Sequence, residues 1–459
     1  LQARDRDLFT AITDCGAGGL SSAIGEMGEK LGAVVELDRV PLKYAGLRHD
    51  EIWISEAQER MVLSVPQDRV AELLKLSADE DVESTVIGQF GTDGKQLILH
   101  YRGETVGRLS MAFLHDGVPM PTRRAIVVNE MEAAKPQTPG VGRRERLLNV
   151  LASPNVASKH WIIRQYDHEV QGGSVIKPLV GQMQIGPSDA AVVRPKLSSM
   201  KGVALGCGLT PQVEDPYRMA IAAIDEAIRN VVCVGASLDR IALLDNFCWP
   251  SVDDERTMGT LVRACEACRD AALAFGTPFI SGKDSLHNQF TDSETDIVIR
   301  IPNTLLISAI GVLDDVRRCV TMDFKNADAS ILLIAASDPN DLRSLLATHR
   351  YVAALIEQGA VAACHDVSDG GLEAAIAEMC IASGLGATIT ASTVAHDFEE
   401  RPGQYIVELR PVPEIRRPDE PLVGVTALGH VHSKPQLTIG DANWSLDELT
   451  AAWRGTLDW

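Results

Sequence analysis

No stretch of the 459 residues offers the roughly 18 to 20 uninterrupted apolar residues that a membrane-spanning helix needs. The opening Leu1-Gln2-Ala3-Arg4-Asp5-Arg6-Asp7 lacks the basic-then-apolar order of a secretion signal, so a cytoplasmic location is the expectation. Basic charge is scarce too. The formal net charge of −20 argues against general nucleic-acid binding, because phosphate backbones need basic surface to displace their counterions. Phosphorylated small ligands stay open, since backbone amides and bound Mg2+ accept them on an acidic protein. No Ser-His-Asp, H-E-x-x-H or G-x-G-x-x-G arrangement is convincing, which leaves no reason to expect a protease, a zinc enzyme or a nicotinamide enzyme. Among the nine cysteines, Cys265 and Cys268 form a C-x-x-C inside the helical-looking stretch Leu261 to Phe275, without a second pair at zinc-finger spacing. Core thiols are the expectation.

What is present is an internal repeat. Thr13-Asp14-Cys15-Gly16-Ala17-Gly18-Gly19-Leu20 continues to Ala23-Ile24 and Glu26-Met27. His365-Asp366-Val367-Ser368-Asp369-Gly370-Gly371-Leu372 continues to Ala375-Ile376 and Glu378-Met379. Each copy follows an apolar segment, turns through a Gly pair and begins an apolar-periodic helix. Strand-like Gly32 to Leu37 and Gly386 to Thr390 come next, then Met61 to Val65 and Tyr405 to Leu409. The first copy goes on with helical Val70 to Leu76 and strand Val86 to Phe90. The second ends in strand Val425 to Val431, with its intervening helix poorly marked around Pro413 to Pro421.

Two related α/β domains are therefore expected at 1–128 and 323–459, with a linker at 129–149 and a distinct domain at 150–322. In that middle region Ala190 to Val193, Gly202 to Leu205, Ile241 to Leu244 and Thr304 to Leu313 read as strands. Tyr217 to Val232 and Leu261 to Phe275 read as helices. The second repeat is preceded by a strand at Ser330 to Ala335 and a helix at Asp341 to Gln358. The first has no such pair before it, so an N-terminally incomplete sequence is the expectation.

Asp14 and Asp366 each close an apolar segment beside a glycine turn and a helix start. A carboxylate there suits Mg2+, while helix-start N–H groups can face phosphate. An Asp capping its own helix is the ordinary alternative, and the duplication favours a site. Glu226 and Asn230, four apart, share a helix face, and Asp189 precedes a strand where a third oxygen ligand would suit; a polar surface face is the alternative. Phe279-Ile280-Ser281-Gly282-Lys283-Asp284-Ser285 reads as a strand running into a turn of small residues, with Lys283 available for phosphate, although it is no Walker A loop; Lys283 paired to Asp284 on an ordinary surface turn is the alternative. His168, in Gln165 to Gly173, reads as a structural histidine.

Together these residues resemble phosphoribosylformylglycinamidine synthase, in its synthetase subunit or region. The likeness is carried by Asp14 to Leu20, Ser55-Glu56-Ala57-Gln58-Glu59-Arg60-Met61, Arg164 to Gly172, Gly282 to Leu286 and His365 to Gly371. It implies a mixed α/β (α+β) fold of tandem aminoimidazole-ribonucleotide-synthetase-like domains. The order would be a C-type domain of the first half, then the N-type and C-type domains of the second. The implied reaction uses ATP to activate the formyl-amide oxygen of formylglycinamide ribonucleotide, and glutamine-derived ammonia replaces it, giving the amidine, ADP and phosphate. By the resemblance, Asp14 would hold catalytic Mg2+, Glu56, Gln58 and Ser285 would contact the ribonucleotide, and Gly282 and Lys283 would lie near nucleotide. Asp189, Glu226, Asn230 and Asp366 would hold Mg2+ at an auxiliary nucleotide site, where Asp189, Asp366 and Ser368 meet the nucleotide and ADP is the implied occupant. Ala57 stands where the family commonly has Ser, which removes one hydroxyl. The family's catalytic histidine lies in the first N-type domain, which has no counterpart here. No catalytic residue is therefore assigned, and the fragment by itself is expected to be inactive. The implied partners are a glutaminase that supplies ammonia and the missing N-terminal synthetase region, with neither nucleic acid nor membrane. Another enzyme of the same superfamily, or an inactive nucleotide-binding scaffold, are the alternatives.

Overall fold

The computed structural model describes residues 1–57, 59–127, 141–166, 168–169, 171–390, 400–411 and 421–458. It divides into two compact units, Leu1–Thr122 and Arg123–Trp459. The separation falls before the expected boundary at 128 for a local reason. Ile126 donates its N–H to the Glu255 carbonyl (2.8 Å), and Arg123 and Arg124 pair with Asp253 and Glu255, so this short stretch belongs to the second unit.

The first unit holds β1 (Ala11–Asp14), α1 (Leu20–Gly28), β2 (Ala33–Glu36), β3 (Met61–Ser64), α2 (Val70–Asp79), β4 (Gly88–Phe90), β5 (Gln96–Tyr101) and β6 (Glu104–Ser110). Its strands form two sheets, β1-β3 and β4-β2-β5-β6. Leu20, Ala23 and Ile24 of α1 are buried against Ala33, Val35 and Leu97, the apolar face expected from the helical spacing.

The second unit begins with α3 (Arg143–Leu151), which occupies part of the expected linker. Leu147 and Leu151 are fully buried, and Arg143 reaches the buried Glu373 at 3.2 Å, so this stretch is part of the packed body. Then come β7 (Ser174–Ile176), β8 (Ala191–Val193), β9 (Gly202–Leu209), α4 (Pro216–Cys233), β10 (Ile241–Cys248), α5 (Glu255–Phe275), β11 (Phe279–Ser285) and β12 (Thr304–Leu313). They build one sheet of order β11-β10-β12-β9-β8-β7. The remaining elements are β13 (Ser330–Ala336), α6 (Leu342–Glu357), β14 (Val361–Asp366), α7 (Gly371–Ser383), β15 (Gly386–Ile389), β16 (Gln404–Leu409), β17 (Val423–His432), β18 (Gln436–Ile439), β19 (Ala442–Ser445) and α8 (Leu446–Gly455). Their sheet runs β14-β16-β13-β17-β15-β18-β19. A single core, including Leu243, Trp249, Met379 and Trp453, spans the expected domain boundary at 322.

The first unit and the C-terminal sheet of the second share a strand-pairing pattern. β1 pairs antiparallel with β3 as β14 does with β16, and β2 pairs antiparallel with β4 as β15 does with β17. The parallel pair β2-β5 matches β15-β18, and the hairpin β5-β6 matches β18-β19. One strand differs. In the second unit β13 lies between β16 and β17 and joins the sheet, whereas among the described residues of the first unit no strand pairs with both β3 and β4. This is the strand, with α6 after it, that precedes the second Asp-Gly-Gly motif.

Two sequence expectations need correcting. Gly282, Lys283 and Asp284 lie within β11 and not in a turn, because the strand continues in parallel register beside β10 as far as Ser285 opposite Cys248. The cysteines are not all core thiols: Cys207 and Cys265 are exposed, although Cys268 is buried and all nine are free. The expected helix at Pro413 to Pro421 lies almost entirely outside the described residues.

Candidate functional site

In both units an Asp ends a strand and a Gly pair begins a helix. Gly18 and Gly19 (φ 80° and 60°) and Gly370 and Gly371 (φ 89° and 69°) have left-handed backbones that disfavour any side chain. Neither α1 nor α7 has a side-chain cap; the Ser21 N–H is taken by the Gly18 carbonyl and the Gly371 N–H by the Ser368 carbonyl, which leaves other first-turn N–H groups for an anionic ligand.

The surroundings of the two aspartates differ. Asp14 is exposed at the end of β1, beside the glycine turn. Glu56 reaches the same turn and accepts the Gly18 N–H at 3.3 Å. Gln58 lies outside the described residues. In the second unit Asp366 is almost wholly buried. Its N–H donates to Asp189 Oδ1 (3.0 Å), and the side chains of Asp189, His365 and Asp366 bring candidate ligand atoms within 4.8 Å of one another.

Helix α4 brings up two further oxygens. Asp215 caps it by accepting the Arg218 N–H, and Pro216 follows at the first helical position, a favourable start. Glycines in β9 let the helix come close: a Cβ on Gly208 would lie 2.1 Å from the Ala223 carbonyl oxygen. Over that contact Glu226 Oε2 accepts the Leu209 N–H (2.7 Å) and Asn230 Nδ2 donates to the Cys207 carbonyl (2.7 Å).

A common pattern results. Asp189 uses Oδ1 for the Asp366 amide and the His365 ring, Asp366 uses Oδ2 for Arg229, Glu226 uses Oε2 and Asn230 uses Nδ2. The other oxygen of each accepts no hydrogen bond among the described residues. Such half-anchored oxygens are what a hard divalent cation with retained water requires. Ser368 is half-buried in the turn after Asp366, where its carbonyl accepts the Gly371 N–H at 2.9 Å.

Electrostatics mark the same place. Burial, then the neighbouring Glu400 and Asp366, push Glu226 up to about 9. Burial raises Glu400 to about 7 despite Arg229, and raises Asp366 as well. Burial alone would depress His365, but Asp189 and Glu378 outweigh it and hold the imidazole well above its ordinary value. Concentrated buried carboxyl groups of this kind are costly without cations.

Gly282, Lys283 and Ser285 sit elsewhere in the second unit, on the edge strand β11. Lys283 Nζ donates to Ser285 Oγ (3.0 Å), and a Cβ on Gly282 would lie 2.3 Å from Asp245 Oδ1. No hydrogen bond or ion pair among the described residues joins them to the Asp366 group. His168 contacts the Tyr166 carbonyl at 3.0 Å and is exposed.

Sequence reasoning missed Arg229, Asp225, Glu378 and Glu400. The first two stand four apart in a helix whose residues from Met219 to Cys233 are almost all buried, an oppositely charged pair that is a legible signal.

Comparison with known proteins bears on the family and the fold. The family model described as AIR synthase related protein, C-terminal domain, matches residues 1–100 and 322–416, and the N-terminal domain model matches 187–301. Phosphoribosylformylglycinamidine synthase subunit PurL of Rhodospirillum rubrum is 33% identical over 445 residues, covering 89% of this chain and 57% of the relative. The subunit of Picrophilus torridus is 30% identical over 429 residues, covering 87% and 56%. The chain therefore spans less than two thirds of the length of these relatives. Among solved structures, Thermotoga maritima PurL complexed with AMPPCP superposes with a TM-score of 0.69 at 24% identity, covering 94% of this chain and 66% of that one. The same protein complexed with FGAR gives 0.66 at 23%, covering 94% and 63%. That likeness establishes the fold.

Proposed function

We propose, from the premise that this chain belongs to the AIR synthase related family as a homologue of phosphoribosylformylglycinamidine synthase subunit PurL, that it is the part of such a synthase that organises magnesium nucleotide. The supporting observation is the set of half-anchored oxygens at Asp189, Glu226, Asn230 and Asp366 beside the uncapped start of α7.

The whole enzyme would convert formylglycinamide ribonucleotide, ATP and ammonia into the amidine, ADP and phosphate. An amide oxygen is a poor leaving group, and phosphorylating it lets ammonia displace phosphate. Bound Mg2+ would supply charge neutralisation to the nucleotide phosphates. Asp14 and Asp366 would each be the acidic member of their own site, with the α1 and α7 N–H groups facing phosphate. Glu56, which already braces the glycine turn of the first unit, would contact the ribonucleotide. Gln58 and Ser285 are further candidates for ribonucleotide contact, and Gly282 and Lys283 for nucleotide contact. The second-unit group, with Ser368, would hold an auxiliary ADP. Ammonia would come from a glutaminase partner or region. We take a cytoplasmic setting as the working reading, alongside the net charge of −20 and the finding that none of the described helices is long and apolar enough to cross a membrane.

The test is a glutamine- or ammonia-dependent assay of the full-length coding sequence with ATP and formylglycinamide ribonucleotide. Amidine formation is expected, and Asp14→Ala should lower turnover roughly 100-fold, the scale on which loss of electrostatic stabilisation is felt. Glu226→Ala should chiefly lower auxiliary nucleotide occupancy. Nucleotide binding without turnover in the intact protein would point to a scaffold.

A further inference from the structure

Arg229 is fully buried on α4, and four acceptors surround its guanidinium. It pairs with Asp225 through one nitrogen. Through another it donates to Glu400 Oε1 (2.9 Å), Asp366 Oδ2 (3.3 Å) and the Val367 carbonyl (3.3 Å). Asp225 is held in turn. Its Oδ2 accepts the Gly403 N–H (2.9 Å), and its Oδ1 lies 3.1 Å from His349 Nε2 without meeting hydrogen-bond geometry. The other ring nitrogen of His349 is 2.6 Å from the Tyr405 hydroxyl. A buried polar chain thus runs from Tyr405 on β16, through His349 on α6, to the α4 pair Asp225 and Arg229, and ends on Asp366.

We propose that Arg229 is a positioning residue for the divalent cation at the Asp189–Asp366 group. By engaging Asp366 Oδ2 it leaves Oδ1 on the side of His365, 3.8 Å from its Nδ1, and so towards Asp189. Its fixed charge lets Asp366 and Glu400 stand together before a cation arrives. The role needs a planar fork with nitrogens pointing in different directions, so lysine, a single ammonium, cannot span Asp225 and Asp366 together. The inference rests on the cation-site reading given above.

The test is binding of Mn2+ to the 459-residue chain with saturating ADP, read from the electron paramagnetic resonance signal of free Mn2+. Arg229→Lys keeps the charge and should weaken Mn2+ binding roughly 10- to 100-fold, the effect of removing a group that orients a metal ligand. In an Asp366→Asn background the same substitution should add less than about a twofold further loss, since Arg229 would act through that carboxylate. Tyr405→Phe removes only the far hydroxyl and should give a smaller loss, roughly threefold, again absent beside Asp366→Asn; it serves if Arg229→Lys fails to fold. Parent-like Mn2+ affinity in folded Arg229→Lys, or an additive loss in the double variant, would overturn the proposal. If the parent chain itself binds no Mn2+, the cation-site reading falls first, a result distinguishable from either.

Discussion

Asp366→Asn should bind Mn2+–ADP roughly 100-fold more weakly than the parent chain, or about 2.7 kcal/mol. The substitution is nearly isosteric, so β14 and its register opposite Tyr405 should persist. What changes is charge. An amide is a poorer ligand for a hard cation than a carboxylate, and the Asn side chain can turn either its oxygen or its nitrogen toward Arg229. Arg229 would still have Asp225 and Glu400, so it would not be left as an unpaired buried charge, the situation that ordinarily unfolds such variants. Titration calorimetry on parent and variant measures the loss, and urea denaturation in EDTA checks that both are folded. Equal affinities would remove Asp366 from the site.

A second large effect is expected with pH. Without divalent cations the chain should lose stability as pH rises from about 5 to about 9, a range set by unfolded carboxyl values near 4.3 and the folded values below. Glu400 is raised to about 7 and Glu226 to about 9, in each case first by burial. The folded state therefore holds these protons more tightly than the unfolded chain does. The stabilising contribution is complete below the unfolded value, and it is lost as pH climbs through 7 for Glu400 and then 9 for Glu226. Glu226→Gln cannot ionise and should lose less stability than the parent between pH 7 and 9. Urea midpoints at pH 5, 7 and 9 in EDTA measure this. Parallel curves for parent and variant at the alkaline end would mean that Glu226 does not carry the effect.

Much of the fold is legible in the residues because pattern and packing agree. The Asp-Gly-Gly repeat marks the strand–turn–helix unit twice, since glycine takes the left-handed backbone of the turn without the cost that a side chain brings. The strand Ser330–Ala336 and helix Leu342–Glu357 lack a counterpart before Asp14, and this is the strand by which the two sheets of the first unit differ from the continuous sheet of the second. Gly282 to Ser285 misled because small and charged residues ordinarily signal a turn, while pairing with β10 keeps them extended. Within the site, the spacing of Glu226 and Asn230 put them on one helix face, and β9 anchors both. The partners of Arg229 could not be read locally, because Asp366 and Glu400 come from distant parts of the chain. Nor does the repeat reveal that Asp366 is buried and Asp14 exposed, since burial depends on neighbours that the motif does not contain.

All of this turns on whether acidic oxygens at the end of β14 gather a metal-bound phosphate. Crystals of the chain grown with Mn2+ and ADP would test it most directly through the anomalous signal of manganese. A manganese peak ligated by Asp189 and Asp366 is expected, with the diphosphate lying against the first turn of α7. A well-ordered nucleotide bound elsewhere, with no manganese at those two carboxylates, would contradict it.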